Sequence, residues 1–60
     1  MIWIPIVYFC LTSGDCGFMQ GKATYTESGC VELLQPVVKE FNQDDTVVAF
    51  DVTCVSVNPI

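Results

Sequence analysis

Four cysteines in sixty residues, Cys10, Cys16, Cys30 and Cys54, constrain this chain more than any other feature of its sequence. A chain this short buries only about 60% of the surface its unfolded form exposes, and ordering each residue costs roughly 1.5 kcal/mol. Burial and entropy therefore come out near balance. Cross-links, a bound metal or oligomerisation are the usual ways to tip it. Four cysteines can pair in three ways, and their spacing does not choose among them. The choice must come from the order in which the chain builds its elements.

The run Ile2-Trp3-Ile4-Pro5-Ile6-Val7-Tyr8-Phe9-Cys10 is dense in β-branched and aromatic residues and reads as a strand. Pro5 cannot donate to a ladder, so one edge of that strand is expected to be unpaired or irregular there. Thr12-Ser13-Gly14-Asp15 is a turn cluster, and Cys16 to Tyr25 reads as a second strand completing a hairpin. Thr26 is placed to cap a helix, with Glu27 in the first turn where the helix dipole favours a carboxylate. From Cys30 the period changes. Cys30, Leu33, Leu34, Val37, Val38 and Phe41 recur at helical spacing, with Glu32, Gln35, Lys39 and Glu40 between them. Pro36 falls inside this helix and is expected to kink or divide it. Asn42-Gln43-Asp44-Asp45 forms the exit, and Thr46 to Val57 alternates as a last strand. The order predicted is ββαβ. That makes a small two-layer α+β fold, a three-stranded antiparallel sheet with one helix on one face, as a single domain over residues 1–60.

The hairpin assigns the faces. With Cys10 opposite Cys16, Tyr8 faces Phe18, Ile6 faces Gln20, Ile4 faces Lys22 and Ile2 faces Thr24. On the other face Phe9 meets Gly17, Val7 meets Met19, Pro5 meets Gly21 and Trp3 meets Ala23. This second set is wholly apolar, and its glycines and alanine make room beside the large side chains, so it is expected under the helix. The first set carries an apolar stripe, Ile4, Ile6, Tyr8 and Phe18, that a single helix leaves uncovered. Such a patch marks a contact with another protein or with a second copy, a possible homo-oligomer. The competing expectation is that Asn58-Pro59-Ile60 folds over it.

The same topology selects the cysteine pairs. The first strand ends and the second begins at one end of the sheet, which brings Cys10 beside Cys16. The helix opens at the opposite end, to which the last strand carries Cys54, which brings Cys54 to Cys30. The expected disulfides are Cys10–Cys16 and Cys30–Cys54. In the chain-entropy model loops of these sizes contribute roughly 2.4 and 3.5 kcal/mol. Zinc is the competing reading, but the spacing has no short Cys-x-x-Cys knuckle and the chain has no histidine. The absence of a Cys-x-x-Cys pair also argues against a redox role.

Charge narrows the function classes. Seven carboxylates stand against Lys22 and Lys39 alone, a net charge of −5. Two cations cannot neutralise a run of phosphates or engage anionic headgroups, which argues against nucleic acid and membrane surfaces as partners. An acidic surface suits solubility, as a merely solvated surface, or a protein partner that is itself basic. The apolar start, Met1 to Leu11, has no basic n-region, contains Pro5 and is too short to cross a bilayer. It reads as a core strand and not as a targeting or transmembrane segment. Without histidine, a serine or cysteine nucleophile lacks its usual base. Asp15, Asp44 and Asp45 read as turn residues, and Gly14 and Gly17 match no phosphate-cradling motif. No enzyme, cofactor or metal site is expected.

The layout of an apolar strand ending in Cys10, the spacer Leu11-Thr12-Ser13-Gly14-Asp15, Cys16 before another strand, Cys30 opening a helix and Cys54 in a last strand resembles short four-cysteine proteins of uncharacterised role in tailed-phage and bacterial genomes. The resemblance implies a phage or phage-derived origin and brings no site residues with it. Two functions follow as expectations. One is a non-catalytic accessory protein that binds or inhibits a host factor in the host cytoplasm. The other is a minor capsid or cement component of a virion, where disulfides would persist. A secreted toxin or inhibitor would need an export signal.

Overall fold

The computed structural model describes residues 1–58. Its elements are β1 (Ile2–Leu11), β2 (Cys16–Gln20), α1 (Glu27–Asn42) and β3 (Val47–Val57). The sheet is antiparallel with strand order β2-β1-β3, so the first strand is central, and α1 lies over β1 and β3. This is the ββαβ order expected. Of the tail Asn58-Pro59-Ile60, which the competing expectation folds over the sheet, Pro59 and Ile60 lie outside the described residues.

The hairpin turn is built on hydrogen bonds from Leu11 N–H to the Asp15 carbonyl at 2.8 Å and from Gly14 N–H to the Leu11 carbonyl at 2.9 Å. Gly14 has φ +93°, a left-handed conformation that costs glycine little. The ladder beyond it pairs Cys10 with Cys16, Tyr8 with Phe18 and Ile6 with Gln20, the register expected.

Past Gln20 the structure departs from the sequence reading, and Pro5 is the reason. Odd-numbered residues of β1 direct their backbone groups towards β2. The Pro5 carbonyl accepts from Gly21 N–H at 2.9 Å, but proline has no N–H to return. The second strand therefore stops at Gln20 and does not reach Tyr25. Pairing resumes one residue out of step, where Trp3 and Thr24 exchange bonds of 2.7 and 2.8 Å. Hence the expected pairs Ile4–Lys22, Ile2–Thr24 and Trp3–Ala23 do not form. The backbone also comes very close here: a Cβ on Gly21 would lie 2.8 Å from Pro5 Cγ.

Thr26 caps the helix as expected. Its backbone is extended, and its Oγ1 accepts from Gly29 N–H at 3.1 Å. Pro36 does not divide the helix, which runs unbroken from Glu27 to Asn42. Both Pro36 and Glu32, the residue whose carbonyl loses its helical donor, are exposed, so water can satisfy that carbonyl.

The inner layer is thin. Pro5 and Val7 of β1 are buried beneath Cys30 and Leu34 of α1, and Cys30 is fully enclosed. Phe41 stands edge-on to both Phe9, at 6.0 Å, and Phe50, at 5.5 Å, closing one end. The Cys30–Cys54 disulfide ties helix to sheet at the other, while Cys10–Cys16 closes the hairpin, the pairing expected. The accessible surface is 4375 Å². A compact protein of this mass would expose about 3,900 Å². The radius of gyration, 12.5 Å, likewise exceeds the value of about 10 Å for a compact chain of this length. The flat, elongated outline, 40 × 20 × 13 Å, accounts for both.

Two stability predictions follow from this core. Replacing Cys30 and Cys54 together by alanine should cost about 3.5 kcal/mol, against about 2.4 for Cys10 with Cys16. Urea unfolding of the two double variants measures the order, and equal midpoints would mean the longer cross-link does not govern stability. Gly21→Ala should destabilise by about 1–3 kcal/mol, because the added methyl meets a rigid pyrrolidine ring. A melting temperature equal to that of the parent would show that the Pro5–Gly21 approach can relax.

Candidate interaction surface

Even-numbered side chains of β1 point away from the helix, as do their cross-strand partners. The outer face therefore runs Ile2–Val57, Ile4–Val55, Ile6–Thr53, Tyr8–Asp51 and Cys10–Ala49 on the β3 side, with Phe18 and Gln20 on the β2 side. No described residue lies over it. Ile4 and Ile6 are half-buried within this face, while Tyr8 is 50% and Phe18 60% exposed. The Tyr8 and Phe18 rings lie 6.1 Å apart, tilted by 42°. All four residues singled out from the sequence thus share one surface.

The sequence reading missed part of it and misassigned another part. Ile2, Val55 and Val57 extend the apolar stripe, and continued alternation along the last strand was the signal for the two valines. Lys22 was expected opposite Ile4 but lies beyond the end of β2, so no cation interrupts the face. Asp51 is its single carboxylate, and its Oδ1 accepts from Val52 N–H at 2.9 Å.

Two carboxylates in loops, Asp15 and Asp44, do local structural work. Asp15 accepts from the Ser13 hydroxyl at 3.2 Å. Asp44 Oδ1 accepts from both the hydroxyl, at 2.6 Å, and the N–H, at 2.9 Å, of Thr46. These bonds, the hydroxyl first, hold its carboxyl below the usual carboxylate range. Among the described residues no three His, Cys, Asp or Glu side chains converge as a metal site, and all four cysteines are in disulfides. No helix among them is long and apolar enough to cross a membrane.

Comparison with protein-family models, with curated proteins and with solved structures finds no match for this chain. The site must be judged on its own geometry. Depleted in charge, aromatic at one end and branched aliphatic along its length, it has the composition of the core of a protein interface.

The Asp44 turn yields a pH prediction. Because folding lowers this pKa, the stabilisation is present above the ordinary aspartate value and is lost as pH falls through the folded value. Thr46→Ala should shift the Asp44 carboxyl titration upward when followed by NMR. An unmoved midpoint would mean that Thr46 does not hold the carboxylate.

Proposed function

We propose that this protein acts without catalysis, by binding another protein through the outer sheet face centred on Ile4, Ile6, Tyr8 and Phe18. The observation that carries the reading is a contiguous apolar face over which no described residue lies, with Tyr8 and Phe18 half or more exposed within it. A surface of that kind costs solubility unless it has a use. The net charge of −5 sits almost entirely off this face, on loops, the helix and its flanks, and suits a partner that is basic around an apolar centre. A phage-type accessory protein that modulates a host factor fits this description.

The two disulfides favour a second reading. Cytosolic thiols normally stay reduced, so a protein stapled at Cys10–Cys16 and Cys30–Cys54 suits a working life outside the reducing cytosol. A minor capsid or cement component would meet that condition and would use the same face against its neighbours. Proteomics of purified particles separates the two: a virion component is present in them and an accessory protein is not.

Site-specific photo-crosslinking in producing cells tests the face itself. A crosslinker at Phe18 should capture a defined protein species, while one at exposed Glu32 on the far side of the helix should not. Tyr8→Lys, at a position opposite Asp51, should remove the Phe18 crosslink while leaving the chain folded. If Tyr8→Lys and Phe18→Lys both unfold the chain, this face belongs to the core and the reading fails. Equal capture from Phe18 and Glu32 would sink it as well.

A further inference from the structure

The edge of β3 carries a second, separate surface. Even-numbered residues of β1 bond to Val57, Val55, Thr53, Asp51 and Ala49. The backbone groups of Phe50, Val52, Cys54 and Ser56 therefore point away from the sheet. The Asp51 carboxylate bonds one of them, Val52 N–H, from the side. β3 is an eleven-residue edge strand. Proteins normally protect edges of this length with charges, prolines or bulges. Here the register shift at Cys10/Leu11 disturbs only the start of the strand, and Asp51 guards only its middle. From Val52 C=O to Ser56 no described residue pairs with the edge.

Beside this open edge lies a groove. One helix, about 10 Å across, cannot cover a sheet of three strands spaced about 4.8 Å apart. Between α1 and β3 this leaves an apolar trough of about 640 Å³, lined by Val31, Leu34, Val38 and Val52, with Glu27 and Lys39 among its polar lining residues. Val31 is 45% exposed. An unpaired backbone edge next to a row of apolar hollows is what strand addition requires: main-chain bonds hold the incoming segment, and alternate side chains fill the groove.

We infer that β3 and α1 form a binding site for an extended peptide segment of a basic partner, added antiparallel to β3 over Phe50–Val55, with the Asp51 carboxylate releasing Val52 N–H to the incoming main chain as it turns to the partner's cation. Residues opposite Cys54, Val52 and Phe50 would share the helix side of the sheet and enter the groove, so they are aliphatic. The residue opposite Asp51 would lie on the outer side, and a lysine or arginine there pairs with the carboxylate. Charge selects this occupant over a second copy. An antiparallel β3–β3 pair centred on Val52 would bring two Asp51 carboxylates diagonally together between chains that each carry −5. The surface is distinct from the outer face and stands or falls separately from it.

The test is a ¹⁵N and methyl NMR titration of the intact, disulfide-bonded protein. The probe is an acetylated and amidated hexapeptide with valines opposite Cys54, Val52 and Phe50, threonine opposite Thr53, and lysines opposite Asp51 and, at its N-terminus, opposite Val55. The expected result is a saturable shift of the Cys54 and Ser56 amides with slowed hydrogen exchange there, together with shifts of the Val31 and Val38 methyls. Asp51→Asn should weaken binding about two- to fivefold, the scale of one cross-strand charge pair. A peptide with glutamate in place of lysine should weaken it further. Phe18→Ser, on the far strand β2, should bind like the parent. Shifts confined to Tyr8, Phe18 and Val55 would overturn the site, as would no shift at the solubility limit of the peptide. The same edge signals appearing with protein concentration alone would assign the edge to a second copy and overturn it too.

Discussion

The Cys30–Cys54 disulfide is the tie on which the two layers depend. Cys30 is the one fully enclosed side chain among the described residues, and only Pro5, Val7 and Leu34 join it below the surface. Four buried residues supply too little transfer free energy to offset ordering a chain of this length. The bridge closes the loop that contains most of α1 and β3, so it removes unfolded-state freedom where the packed core is weakest. The Phe9–Phe41–Phe50 cluster holds the other end of the helix. With both ends fixed, the helix cannot slide to cover the grooves that flank it.

Much of this was legible because the cysteines act as register marks. Placing Cys10 opposite Cys16 determines every pair down to Ile6–Gln20, and with them which side chains go under the helix. The four-residue stripe of Ile4, Ile6, Tyr8 and Phe18 followed from that single assumption. The same reasoning failed where the backbone, not the side chains, decides. Pro5 reads as a ladder defect, but the sequence pattern alone does not say which neighbour the missing N–H faces. It faces β2, so β2 ends at Gln20 and Lys22 leaves the sheet. Pro36 does not divide the helix: its position on the exposed side of α1 lets water replace the lost bond.

The edge of β3 lay beyond sequence reasoning for a related reason. Alternation along Thr46–Val57 identifies faces, yet it cannot tell which backbone groups are already paired. Only the strand order β2-β1-β3 makes the last strand an edge, and only the ladder parity turns Cys54 and Ser56 outward. Val48, two residues before Phe50 along the strand, is displaced by the register shift beside Cys10 and stands 63% exposed.

Asp51 sits where the two surfaces meet, and its position reconciles them. On the outer face it is the single carboxylate opposite Tyr8, close enough to admit a cationic partner group at the rim of an otherwise apolar patch. At the edge the same carboxylate occupies Val52 N–H, blunting the strand against pairing with its own kind. An acidic group at that point repels another copy of an acidic chain and attracts a basic segment. One side chain thus biases both surfaces towards the same chemistry, although one reads a folded apolar face and the other an extended backbone.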